Sequence, residues 1–319
     1  MNQLGKNIIR RFGGYLPFIT CFIVLCFSQT FRVFTFWNLI TQFLLFLFIV
    51  SIPALITKRM SYVDIAWPWG LVCIGVLSLC LGQGYWLKKI IISSIYILAG
   101  LRMGIGALIL YKKGHLDKEL SRYRFQRIRW KKFGYKSEHA SLQYEIMLQC
   151  ISNITFLAIP AMLQAYNPDK FISIYEILGY LLWISFIIIE HIADIQKQKF
   201  IKKSYLNNQK KAVCNVGYWK YSRHPNYFAE WMVWNSIIIS SISSLSYYFE
   251  TENKMIAYFL LFCLLYISRL MYKTLVYYTG AIPSEYYSIK KRGEYIKYQK
   301  ETNMFFPNIK KKKIIVKIQ

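Results

Sequence analysis

Apolar residues in this chain fall into blocks of about 20, the length a helix needs to cross the hydrocarbon core of a bilayer, and no other feature limits the fold as strongly. Inside a bilayer every backbone polar group has to be bonded internally, so a chain built of such blocks folds as helices. The blocks predict eight spans, at 15–34, 36–57, 64–81, 86–111, 146–166, 171–191, 227–249 and 255–278. The expected fold class is therefore all-α, a multi-pass integral membrane helical bundle. The start, 2–14, is short and basic, with Lys6, Arg10 and Arg11. The apolar run after it ends without a small-x-small cleavage site, so it reads as a retained helix and not a leader. The expected divisions are N-terminal spans over 1–57, the main membrane domain over 58–308, and a basic tail over 309–319 that includes Lys310–Lys313.

The formal net charge of +26 lies mostly between the apolar blocks. A charge of that size is the usual footprint of a nucleic-acid binder. Here the basic runs flank spans, so the bilayer's anionic headgroups or an anionic cofactor are the expected partners, and nucleic acid is not. With both termini cytoplasmic, the opposite face would carry Arg32, Lys88, Lys89, Lys170 and Lys254, and the positive-inside rule favours that orientation. A bacterial inner membrane and an endoplasmic-reticulum membrane fit equally. The cysteines at 21, 26, 73, 80, 150, 214 and 263 form no CxxC or zinc spacing, so unreactive buried thiols are expected, with no metal site and no disulfide framework.

Chemistry concentrates in the stretch from Gly217 to Glu230, GYWKYSRHPNYFAE, which joins a basic segment to an apolar block. Pro225 suits the first position of a helix, where its missing N–H costs nothing. The N–H groups after it are unbonded and the helix end is partly positive, so Arg223 and His224 beside it make an anion site of the kind phosphates occupy. Asn226 and Glu230 stand four apart and Tyr227 three before Glu230, which puts polar groups on one helical face. The same residues also fit an interfacial helix start anchored by Arg, Tyr and Trp.

Ionisable residues inside spans are costly and tend to face a partner or a cavity. Asp64, Arg102, Glu190, His191, Glu230, Arg269 and Lys273 are of this kind. Arg269 and Lys273 lie where ordinary snorkelling accounts for them. Asp64 is short and precedes Trp67-Pro68-Trp69, so it either caps the helix there or serves as a proton donor kept neutral by burial.

The stretch Gly217–Glu230 resembles the signature of membrane proteins related to steroid 5-alpha-reductase, G-x-W-x-x-S-R-H-P-N-Y-x-G-E, with Ala229 in place of a glycine. Further strings follow the same pattern: Ser61-Tyr62-Val63-Asp64-Ile65-Ala66-Trp67, Ala193 to Phe200, Thr279 to Glu285, and Lys291-Arg292-Gly293-Glu294-Tyr295 with Tyr298-Gln299. The resemblance runs from about residue 55 to 308. It is to the bacterial-type branch catalogued as a domain of unknown function, number 1295, with sterol reductases and isoprenylcysteine carboxyl methyltransferase as relatives. Two departures stand out: Ile201 where relatives commonly carry Arg, and Leu120 where an aspartate is usual.

The resemblance implies an NADPH-dependent reductase acting on a conjugated carbon–carbon double bond in a lipid. By motif, Lys197 and Arg223 would contact phosphate, and Asn226 and Tyr227 would hold the nicotinamide-ribose half. Trp219, His224 and Glu230 belong to the same cofactor set. Tyr295 and Tyr298 would close over the nucleotide, with Arg292 as a further cation. Arg223 is expected at the mouth of the site, facing water until cofactor binds. Asp64 would be the acid that polarises the substrate carbonyl, with Tyr62, Tyr96 or Tyr180 as its tyrosine partner. A membrane methyltransferase using S-adenosylmethionine shares the Arg-His-Pro element, but Asn226 and Gln196-Lys197 are closer to the reductases. A non-catalytic lipid-binding relative is the third reading.

Overall fold

The computed structural model describes residues 3–209 and 211–308; the basic run Lys310–Lys313 and the side chain of Lys6 lie outside what is described. Among the described residues all regular structure is helical. Seven helical segments are long and apolar enough to cross a membrane: Ile9–Phe27, Arg32–Thr57, Val63–Leu81, Trp86–Lys112, Glu138–Ala165, Ile174–Leu206 and Lys254–Lys291. The protein is a multi-pass helical membrane bundle, as the apolar blocks predict. The block expected as the seventh span is not among those seven. It forms the 18-residue helix Pro225–Ile242 and a separate helix Ser244–Thr251. Asn226, Glu230, Asn235 and several serines dilute its apolar character, although 18 residues rise roughly 27 Å.

Boundaries shift for physical reasons. The first turn falls at Ser28–Phe31 and not after residue 34, because Ser28 Oγ accepts the Phe31 N–H at 3.2 Å and donates to Glu252 at 2.8 Å. The fifth span bends at Thr155, where Glu138–Ile154 ends and Ile159–Ala165 begins. Pro160 explains the break, since it has no N–H to give the carbonyl four residues back. The sixth helix runs to Leu206, well beyond the expected end at 191. Residues 194–206 hold no Gly or Pro, and the chain turns only near Asn208, which takes a left-handed φ of 57°. The basic segment 112–136 likewise contains a helix, Ser121–Lys132.

The chain divides into two compact units. The first comprises Met1–Glu176 and Ser240–Ile267. Its helices Val63–Leu81 and Trp86–Lys112 pack so closely that a Cβ on Gly100 would stand 2.6 Å from the Pro68 carbonyl oxygen. Small residues at such contacts let membrane helices gain dispersion energy where no hydrophobic drive separates them from lipid. Asn38, Gln42 and Asn153 link three helices through buried hydrogen bonds, including Gln42 Nε2 to the Gly70 carbonyl at 2.8 Å. Lys88, expected among headgroups, is instead buried and paired with Glu176 at 3.1 Å. Removing either partner would leave a lone charge in an apolar interior, which explains why both persist. The cysteines are free: 21, 150, 214 and 263 are buried, while Cys26 and Cys80 are exposed, contrary to the uniform burial expected.

The second unit comprises Ile177–Ile239 and Ser268–Gln319. It contains most of the sixth helix, the turn around Gly217–Lys220, most of Pro225–Ile242, and the helices Ala281–Lys291 and Tyr295–Glu301. An aromatic cluster of Phe228, Trp231, Tyr272, Phe305 and Phe306 holds the chain end against these helices, with ring centroids 5.2–6.2 Å apart.

Candidate functional site

The second unit encloses a cleft of about 430 Å³, within the usual size range of small-molecule sites. One wall is the C-terminal end of the sixth helix, where Lys197, Ile201, Ser204 and Tyr205 repeat at three- and four-residue spacing. Gln196 on that helix accepts the Tyr218 N–H at 2.9 Å and so anchors the next turn. Gly217 makes the turn possible: its φ is +54°, and a Cβ there would lie 2.3 Å from Gln196 Oε1. Trp219 then donates its indole N–H to the Ala193 carbonyl at 2.9 Å, and the Lys197 ammonium sits 4.1 Å above its ring.

Ser222 ends the turn. Its hydroxyl accepts the His224 N–H at 3.1 Å and donates to the Phe305 carbonyl at 2.8 Å, so Pro225 is free to open its helix. The Arg223 guanidinium donates to both oxygens of Glu285, at 2.6 and 3.1 Å, and to the carbonyls of Gln299 and Thr302 at 2.9 and 2.5 Å. His224 Nε2 stands 3.1 Å from the same carboxylate, and its ring stacks on Tyr227 with planes 1° apart. Burial lowers the His224 pKa, and the hydrogen bond to Glu285 opposes that shift without reversing it. Asn226 donates to Asp194 at 3.0 Å, while its buried Oδ1 has no partner among the described residues.

The far wall comes from the chain's last helices: Ser284, Ser288, Arg292, Tyr295 and Tyr298. Tyr298 donates its hydroxyl to the Trp219 carbonyl. Burial pushes the phenols of Tyr295 and Tyr298 above their ordinary range, so both stay protonated. Cys214 also faces the cleft, and burial raises its thiol although Lys197 and Arg292 pull the other way. Neither Lys197 nor Arg292 forms an ion pair among the described residues.

Lys197, Trp219, Arg223, His224, Asn226, Tyr227, Arg292, Tyr295 and Tyr298 thus line one cleft. Glu230 does not. It is buried and accepts the Trp234 indole N–H at 3.0 Å, one turn along the same helix. Arg223 departs from expectation in a different way. It is 8 % exposed, not open to water, and four of its five N–H groups are already bonded within the protein. Sequence reasoning missed Glu285 as its partner. The signal was present in the tail string Thr279–Glu285, where an acid in an otherwise apolar and small-residue run needs a cation.

Asp64 belongs to the first unit. Its carboxylate pairs with Arg122 and accepts the hydroxyl of Tyr123. That arrangement is an ion pair, at a residue for which the sequence offers a helix cap or a proton donor. The tyrosine that meets it is Tyr123 and none of the three named from the sequence; Tyr96 donates instead to the Leu157 carbonyl at 2.6 Å. Glu119 binds the Met60 N–H and the Ser61 hydroxyl at 2.9 and 2.6 Å, so the strings 61–67 and 119–123 are two halves of one polar cluster. Leu120, at the departure from the family pattern, packs on the adjoining apolar cluster.

These features define a class: an all-helical integral membrane protein with a cation-bearing, aromatic-walled cleft built from its last helices. Within that class the chain belongs to the family described as protein of unknown function (DUF1295), whose model matches residues 47–302. No curated protein and no solved structure matches it.

Proposed function

We propose that the cleft binds NADPH and that the protein reduces a conjugated carbon–carbon double bond in a membrane lipid. The observation that carries this reading is the convergence of nine signature residues on one cleft, two of them cations without an acidic partner among the described residues. Lys197 and Arg292 are suited to the phosphates, Ser284 and Ser288 to further hydrogen bonds, and Trp219 and Tyr227 offer faces for stacking. The unpartnered Asn226 Oδ1 is an acceptor suited to an amide N–H such as a carboxamide carries. Ile201 leaves the cleft one cation short of the relatives' pattern, which predicts looser phosphate binding and not its loss.

NADPH supplies a hydride when bound. Negative charge then develops on the substrate carbonyl, and a positioned donor must meet it. Asp64 with Tyr123 is the pair we assign to that role: Arg122 holds the carboxylate, and the phenol, whose one O–H rests on that carboxylate, would turn it to the substrate oxygen as charge develops there. Burial keeps the Tyr123 phenol protonated well above its ordinary range, as a donor requires. With both termini cytoplasmic, the cleft would draw on the cytoplasmic NADPH pool. The test is what the purified protein binds in detergent. NADPH at micromolar affinity supports the reading; S-adenosylmethionine in its place makes the protein a methyltransferase; neither makes it a non-catalytic lipid binder.

A further inference from the structure

We propose that Glu285 is the positioning residue of the cleft, and that Arg223 acts through it and not on the ligand. The carboxylate is 7 % exposed and takes four donors: Arg223 Nε and Nη2, His224 Nε2, and Gln299 Nε2 at 2.6 Å. Three segments meet at that one group: the turn before Pro225, the helix Ala281–Lys291 and the helix Tyr295–Glu301. Arg223 Nη1 completes the joint by binding the carbonyls of Gln299 and Thr302, which close the last of these helices. Its fork is therefore spent on Glu285, and no second pair of N–H groups is left to grip a phosphate.

Two consequences follow for the cleft walls. Because a carboxylate only accepts, Nε2 of His224 carries the proton, and the imidazole is held in one tautomer while it stacks on Tyr227. Tyr295 and Tyr298 are set by the helix that the joint fastens, so this wall is assembled before any ligand arrives. Recognition of an anion then falls to Lys197 and Arg292.

The affinity half of the test rests on the NADPH reading; the exchange half does not. Arg223→Met, Glu285→Gln and the double variant are compared with the parent by amide hydrogen exchange and NADPH titration. Each single variant strands one buried charge, so exchange at Tyr298–Asn308 should rise at least about tenfold while Val63–Leu81 is unchanged, and NADPH affinity should fall by about the same factor. The double variant neutralises both charges together and should recover part of each loss, the bonds from Arg223 to the Gln299 and Thr302 carbonyls staying absent. A double variant that regains protection at Tyr298–Asn308 yet binds NADPH as weakly as Arg223→Met would show that Arg223 touches the ligand and would overturn the proposal. So would unaltered exchange in Glu285→Gln. Should a single variant fail to fold, Gln299→Leu removes one donor and leaves both charges in place; faster exchange confined to the tail supports the joint, and no change sinks it. A parent that binds no NADPH defeats the reading above, and the exchange pattern alone then decides this one.

Discussion

Lys197→Ala separates ligand binding from folding. In the protein as it stands, the ammonium lies 4.1 Å above the Trp219 ring and has no ion pair among the described residues. Removing it forfeits a cation–π contact of about 0.5–1 kcal/mol and strands no buried acid. With a phosphate in the cleft the same ammonium makes a charge-assisted hydrogen bond of about 1.5–3 kcal/mol. NADPH affinity should accordingly weaken roughly ten- to a hundredfold, while the melting temperature without ligand moves little. The assay is calorimetric titration in nanodiscs at two salt concentrations, since a lost phosphate contact also flattens the salt dependence. Lys197→Arg should restore most of the affinity by keeping the charge. An alanine variant that binds within twofold of the parent would refute the placement of phosphate beside Lys197.

Gly217→Ala should destabilise the second unit by about 1–2 kcal/mol, because the left-handed φ is strained for any L side chain and Gln196 stands in the way; chemical denaturation followed at Trp219 measures it. His224 makes stability pH-dependent. Its folded pKa is depressed by burial, so the unfolded chain binds more protons below about 6.5, and stability present above that pH should fall as the solution is acidified. The loss should be smaller in His224→Gln, which has no proton to gain. Asp64→Asn should lower turnover with NADPH affinity unchanged; a variant with normal turnover would leave Asp64 and Arg122 as a structural pair alone.

Much of this architecture is legible in the sequence because the bilayer is so restrictive a solvent. Apolar runs mark helices whatever their neighbours do, and the signature from Gly217 to Glu230 carries its own turn and helix start. Partners distant in sequence are a different matter. Nothing local distinguishes an Arg223 that grips phosphate from one that grips Glu285, 62 positions away. Lys88 reads as a headgroup lysine until Glu176 is seen beside it, and charge counting alone cannot tell a buried pair from a snorkelling chain. The sixth helix outruns its apolar block because helix propensity continues after hydropathy stops. Glu230 shares a helical face with Asn226 by spacing, yet the Trp234 indole one turn on takes its carboxylate away from the cleft.

The central claim is hydride transfer from a nicotinamide cofactor to a membrane lipid, and the direct measurement follows the hydrogen itself. Purified protein in nanodiscs is incubated with a lipid extract from cells lacking the gene and with NADPH deuterated at the transferring position. Mass spectrometry of the lipids should then show one species gaining one deuterium, transferred as deuteride, and one hydrogen, added as a proton, with the gain much reduced in Lys197→Ala. A lipid that gains a methyl group from S-adenosylmethionine, with no deuterium incorporated anywhere, would contradict the account.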